Sequence, residues 1–371
     1  MEWVTFKTQT KTIAERQHIK VLDGLRGYAA LLIVLAHAPR LADSDIWQSI
    51  NTLSVILKFG YIGVDIFFVL SGFLITRILI REKQAGTFSF KRFYLKRALR
   101  IFPIYYLTIF LCGICITWKG IAYTATYLSN YYFSYHTGPH PLSHTWSLAV
   151  EEHYYLLWPL LIGTCSLAWL RRNFLLWVCL FVTIGLALTL AICEPLVIRK
   201  IVYNATHFRI LSIAFGSMLA FYESEVRALD RGQLIRLGAL FLIVFGLATH
   251  IQFIPLLAFL PYEVWRLWLF AFSSTLLFVL VFRLEDGQSI FRWLFTNVVI
   301  RFIGKISYAV YLFHFPIFFW FELFPNQTGG RKVLLSEFML PLALVFLLPM
   351  LSYFLIERPL LKMKDRLHPK S

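Results

Sequence analysis

Ten separate stretches of this 371-residue chain are apolar over lengths that match the hydrocarbon thickness of a bilayer. They run over about 24–42, 59–80, 101–118, 144–170, 174–193, 207–222, 234–250, 265–282, 305–325 and 334–356. A helix needs ~20 residues to cross, or a few fewer. In hydrocarbon every backbone N–H and C=O must be bonded within its own segment, so each stretch is expected to be a helix. Composition agrees: 58% of residues are hydrophobic and 15% charged, against ~25% charged in ordinary soluble domains. Aromatic residues make up 18%, which suits belts at the two membrane interfaces. The expected fold is an all-α polytopic membrane bundle of about ten transmembrane helices, one domain over 1–371. Residues 24–356 form the bundle, and 1–23 and 357–371 are its tails. A disordered chain, a disulfide-rich secreted scaffold and a soluble dinucleotide-binding enzyme are excluded. The aromatic segment 122–134 is too short and polar to cross, so an interfacial or re-entrant helix is expected there.

The formal charge of +16 admits two explanations, nucleic-acid binding or the positive-inside bias of a membrane protein. Distribution decides between them. One alternate set of connections and tails holds 23 Lys and Arg, the other 6. That asymmetry puts both termini in the cytoplasm and explains the basic charge without nucleic acid. No internal repeat is visible, and no connection is long enough for a soluble domain. Met1 to Lys20 is polar, so no signal peptide is expected. The five cysteines lie in or beside apolar runs. Cys112 and Cys115 have C-x-x-C spacing with no second pair, which favours packing over a metal. Asn-x-Thr triplets begin at Asn204 and Asn326 on the outer side, but such triplets are common by chance.

Ionisable groups within a bilayer cost at least ~2.5–3.5 kcal/mol each and usually face a cavity or a partner. In the first span, Arg26 and His37 lie eleven residues apart, close to three turns. They share a face and are separated by ~16 Å along the axis. Arg26 lies toward the cytoplasmic mouth, where it could snorkel to the headgroups. His37 lies in the outer half, where a carbonyl could satisfy it. As a pair on one face they favour function. Asp65 of the second span and Glu151 of the fourth lie at a similar depth, ~8–10 Å below the outer surface. A histidine beside carboxylates suits a general base; a polar cluster locking helices together is the alternative. Neither Glu152 nor His153 is assigned to the site. Arg97 and Arg100 share a helix face at the cytoplasmic edge, as phosphate ligands or as ordinary positive-inside residues. Tyr308, Tyr311 and His314 form a polar stripe for substrate lining or interhelical bonding. His136, His140 and His144 recur every fourth residue, but Gly138, Pro139 and Pro141 forbid the helix that would align them on a metal.

Taken in order, LDGLRGYAALLIVLAH, GVDIFFVLSGFLIT, RALRIFPIYY, HTWSLAVEEHYYLLWP, ISYAVYLFHFPI and the terminal IERP resemble the membrane acyltransferase type 3 family. These stretches run from residue 22 to 359. The resemblance implies an acyl donor, usually acetyl-CoA, and a hydroxyl acceptor, often on a lipid-linked or envelope sugar. It carries over Arg26 and His37 at the family's R-x10-H spacing, Glu151, Arg97 and Arg100. It also implies a bacterial inner membrane; no metal is expected, from the cysteine and histidine spacings above. Longer members carry an extracytoplasmic hydrolase-like domain. None is expected here, so the chain either completes transfer alone or hands over to a separate partner.

The expected division of labour follows from depth. Arg26, Arg97 and Arg100 meet the phosphates of an acyl-CoA, Tyr308 and His314 line the substrate path, and His37, Asp65 and Glu151 serve the acceptor. His37 takes the proton of the attacking hydroxyl. A covalent acyl-enzyme on Ser71, Ser147 or a tyrosine is the other route, and spacing selects none of them. The competing class is a transporter or flippase of a glycan or lipid, although no paired half-helices or repeat support it.

Overall fold

The computed structural model describes residues 18–38, 60, 62–136, 138, 140–250, 262–287, 289–324 and 333–366. Helices in chain order are α1 (Lys20–Ala36), α2 (Ile62–Gln84), α3 (Phe90–Cys115), the short α4 (Ile121–Ala125) and α5 (Ser129–Tyr135), and α6 (Trp146–Thr164). They continue with α7 (Leu167–Ile192), α8 (Pro195–Asn204), α9 (Thr206–Phe221), α10 (Glu223–Arg227), α11 (Arg231–His250) and α12 (Tyr262–Arg283). The last are α13 (Ile290–Thr296), α14 (Val298–Trp320), α15 (Leu335–Ser352) and α16 (Arg358–Arg366). No strand occurs among the described residues. Local chemistry sets several boundaries: the side chains of Ser89, Ser166, Ser289 and Asn297 each accept a backbone N–H in the first turn of α3, α7, α13 and α14. Pro341 and Pro349 lie inside α15, and a π-turn over Tyr353–Glu357 joins it to α16.

Seven of these helical stretches are long and apolar enough to cross a membrane, among them α2, α3, α7, α11 and α14. The protein is an integral membrane protein of all-helical build. Within the expected spans 24–42, 144–170 and 207–222 the described residues form α1, α6 and α9, of 17, 19 and 16 residues, which are not among the seven. About half the residues of each are buried within the bundle. The contrast is steep within the bundle: the apolar window of α2 is 78% buried and that of α11 is 11% buried. The aromatic segment 122–134 becomes α4 and α5, with Tyr123 and Tyr131 exposed and Ser129, Asn130 and Tyr132 buried. Asn204 is buried at the end of α8, and Asn326 lies outside the described residues.

The centre is α2, packed by α1, α6, α9 and α12. Its crossing with α9 is close because both helices present glycine: a Cβ on Gly72 would lie 1.9 Å from the Ile213 carbonyl oxygen, and one on Gly216 2.0 Å from that of Val69. Small residues let backbones meet in membranes, where no hydrophobic drive joins one helix to another. Beside α2, α6 runs parallel. Phe68 meets Trp146, Ser71 bonds Glu151 and the Trp158 indole donates to Thr76, at 2.7 Å for each bond.

Candidate active site

Between α1, α2, α3, α6 and α14 lies a cavity of about 280 Å³. On α2 its wall recurs at Val64, Phe67, Phe68, Ser71, Leu74, Ile75 and Ile78, one helix face followed over fourteen residues. At 1.5 Å rise per residue that face extends ~21 Å. On α6 the wall is Ser147, Leu148, Glu151, Glu152 and Tyr155. Because α2 and α6 run in parallel, the two stripes share one direction. Val64 and Ser147 mark one end, and Ile78 and Tyr155 lie toward the other.

Three arginines line the cavity, Arg26 from α1 and Arg97 and Arg100 from α3. Their spacing on α3 places both guanidinium groups on the same wall. Arg97 Nε donates to Glu152 Oε1 at 3.3 Å, and its guanidinium stacks on the Tyr155 ring. Arg100 is exposed and so lies at the mouth. Arg26 Nε is buried without a hydrogen-bond partner. Among the described residues Arg26 is the arginine with an unpartnered buried Nε that also lines this cavity. Glu151 accepts from Ser71 Oγ at 2.7 Å. The four expected wall residues Arg26, Arg97, Arg100 and Tyr308 are thus brought together, with Tyr308 donating to the Ile101 carbonyl at 3.2 Å. Glu152 and Tyr155 belong to the same wall, and neither was singled out. The signal for Glu152 was the Arg97/Arg100 stripe itself, which needs a counter-charge at that depth.

The other end of the cavity closes on a hydrogen-bonded pair. Ser147 Oγ donates to Tyr311 Oη at 2.6 Å, and Tyr311 Oη donates to the His144 carbonyl at 2.8 Å. Beyond that pair lie three histidine rings from three elements. His37 caps α1, His144 comes from the turn before α6, and His314 from α14. His314 and His144 are 0% and 4% exposed, whereas His37 is half-buried. Ring centroids are 5.1 Å apart for His37 and His314 and 5.3 Å for His144 and His314, and Phe315 lies 5.2 Å from both His37 and His144. His314 therefore sits beside His37 rather than on the cavity wall. His144 joins it there, while His136 stacks on Tyr132 and His140 meets the Lys119 carbonyl at 2.6 Å. Burial lowers the pKa of the His140 imidazole in the loop before α6, its bond to the Lys119 carbonyl opposing the shift.

The structure does not bring the expected trio of His37, Asp65 and Glu151 together. Asp65 is 2% exposed and is bound on α9, accepting from Ser212 Oγ at 2.6 Å and from Arg209 Nη2 at 3.1 Å. Arg209 is itself 3% exposed and packed among Phe68, Trp146 and Tyr203. Two opposite charges buried together in a low-dielectric bundle attract strongly, so the carboxylate turns to the guanidinium and not to a neutral ring. Glu151 shares the cavity with the arginines, on the far side of the Ser147–Tyr311 pair from His37. Depth placed the three at one level, but it could not fix the direction in which each side chain points.

A family model described as an acyltransferase domain matches residues 19–356. The chain belongs to this acyltransferase family. The peptidoglycan O-acetyltransferase OatA of Listeria monocytogenes is 29% identical over 378 residues, covering 94% of this chain and 56% of that protein. The O-acetyltransferase OatA of Staphylococcus aureus is 26% identical, covering 98% of this chain and 60% of its own. The chain thus spans a little over half the length of these curated relatives. No solved structure matches it. Family membership is in keeping with the motif resemblance.

Proposed function

We propose that this protein is a membrane O-acyltransferase that moves an acyl group, acetyl in the simplest case, from acyl-CoA to a hydroxyl of a cell-envelope sugar. The observation that carries this is the elongated cavity, lined by Arg26, Arg97 and Arg100 and closed at one end by the Ser147–Tyr311 pair. A coenzyme thioester is a charged nucleotide on a long, thin, neutral arm. The arginines suit its phosphates, and Arg26 Nε supplies a donor with no partner among the described residues. The apolar face of α2 suits the arm. The relatives named as O-acetyltransferases, one of them for peptidoglycan, support both the acyl group and the acceptor class.

Orientation follows from the Lys and Arg asymmetry. Both termini face the cytoplasm, all ten expected spans cross, and the membrane is the bacterial inner membrane. The donor then enters from the cytoplasm and the sugar approaches half-buried His37 from outside. His37 takes the hydroxyl proton as the sugar oxygen bonds to the thioester carbonyl carbon. The carbon–sulfur bond breaks, and the departing thiolate takes that proton to leave as the thiol. General-base help of this kind is worth ~10²–10⁴ in rate. Arg26, Arg97, Arg100 and Tyr308 hold the donor, and Glu151, bonded to Ser71, orders the wall near the thioester.

The test compares envelope glycans from cells with the wild-type chain, with His37→Gln, and with no chain, by mass spectrometry before and after mild alkali. An alkali-labile acyl ester present with wild type alone is the expected result. Acylation unchanged in all three, with altered glycan amount or location, would support a flippase instead. Ester that forms on the carrier sugar only when an extracytoplasmic protein is co-expressed would place the final transfer on a separate partner.

A further inference from the structure

His37, His314 and Tyr311 define a chain of hydrogen bonds whose proton positions follow from chemistry. A carbonyl oxygen only accepts, so a ring nitrogen against one must carry the proton. His314 Nδ1 lies 2.6 Å from the Tyr311 carbonyl oxygen, which makes it N–H. In the neutral ring its Nε2 is then a lone pair. That nitrogen lies 3.3 Å from His37 Nδ1, which is itself 2.9 Å from the Ile33 carbonyl oxygen and is N–H by the same argument. The His37 proton is thus shared between Ile33 and His314, and the basic nitrogen of His37 is Nε2.

We propose that His314 is a positioning residue for the transfer reaction: through its Nε2 lone pair it fixes the tautomer and orientation of His37 and stabilises the cation that His37 becomes. This rests on the assignment of His37 as the base. A bond from a neutral N–H to a lone pair is weak at 3.3 Å and strengthens once the donor ring is charged. Its contribution therefore grows as His37 takes the proton, which is when it lowers the barrier. Burial supports the role. His314 is 0% exposed, so no water competes for the lone pair, and Tyr311 holds the ring from the other side. His144 completes the packing. Its Nε2 donates to the Leu312 carbonyl at 3.1 Å, and its ring confines that of His314 at 5.3 Å.

Three variants in the full-length protein, reconstituted in vesicles with acetyl-CoA as donor and a disaccharide of the envelope glycan as acceptor, test this. His314→Leu removes the lone pair and is expected to lower kcat by ~10²-fold with the KM for acetyl-CoA unchanged. His314→Gln can place a carbonyl oxygen near the former Nε2 and is expected to recover most of that loss, because the role needs an acceptor and not a titrating ring. His37→Gln is expected to be inactive. If His37→Gln is active, the base assignment fails and takes this proposal with it. If His37→Gln is inactive while His314→Leu matches wild type, His37 stands as the base and the positioning role alone is overturned. A glutamine variant as inactive as the leucine one, at equal folded yield, also overturns it. Nitrogen-15 spectra of histidine-labelled wild type give a readout that needs no variant. Protonated Nδ1 and bare Nε2 on His314 are expected, and the opposite tautomer would overturn the proposal.

Discussion

Two sets of charged side chains are buried in this bundle, and they differ in what they face. Asp65 and Arg209 face each other in a closed crossing of α2 and α9, with Ser212 on the carboxylate and three aromatic rings around the guanidinium. Arg26, Arg97, Glu151 and Glu152 instead border an open cavity; Arg26 Nε and Arg209 Nε are both buried without a partner among the described residues, but only Arg26 lines the cavity. A closed pair holds helices together. A set of charges with unmet bonding capacity beside a void is poised for something that arrives. Burial of charge alone does not separate structure from function inside a membrane; unmet bonding beside an open space does.

The largest expected effect comes from breaking the closed pair. Asp65→Ala leaves Arg209 charged, buried and without its carboxylate, a loss of ~3–5 kcal/mol. Little folded protein is expected in detergent extracts assayed by size-exclusion chromatography. Asp65→Leu combined with Arg209→Met removes both charges and keeps apolar volume, so much of the folded yield returns. Acyl transfer should return with it. A double variant that folds well yet transfers nothing would place Asp65 in the chemistry and dissolve the distinction between the two charged sets.

Arg26→Gln, on the open side, is expected to behave otherwise. No ion pair is broken within the chain, so folded yield stays near wild type. The KM for acetyl-CoA rises by ~10-fold with kcat little changed, because a charge-assisted bond to a phosphate contributes ~1.5–3 kcal/mol and part of it is recovered by the amide. Titration with desulfo-CoA, which carries the same phosphates, should weaken in parallel. A variant that loses yield instead would make Arg26 another structural charge.

How far the site could be read from sequence follows from what periodicity encodes. Apolar length placed α1, α6 and α9 as helices even though their polar content is high, and three-residue spacing put Arg97 and Arg100 on one wall. Axial depth also follows from counting residues. Azimuth between helices does not, since nothing in either α2 or α9 alone announces that Asp65 will meet Ser212 and Arg209, 147 and 144 positions away. Charge balance was the available clue: one unpaired acid in the second span and one unpaired base in the sixth. His144 was hidden for another reason. In sequence it lies among Gly138, Pro139 and Pro141 as a loop histidine, and only the approach of α14 brings His314 and Phe315 against it. His314 read as a lining residue because its helix face continues that of Tyr311, but Tyr311 closes the cavity first.

The smallest expected effect sharpens what the open side does. Ser71 is the hydroxyl held by a carboxylate within the cavity, its Oγ 2.7 Å from Glu151, an arrangement that also fits a covalent acyl carrier. Direct transfer through His37 needs no carrier. On that route Ser71→Ala removes one hydrogen bond from Glu151, which the open cavity lets water replace, and kcat falls by less than ~10-fold, in line with a loss of ~1 kcal/mol. A carrier serine would behave differently: its loss would abolish transfer, and wild type quenched in acid during turnover would hold an acetyl group on the peptide containing Ser71. Intact-peptide mass spectrometry separates the two, because direct transfer leaves no mass increment on that peptide at any time point.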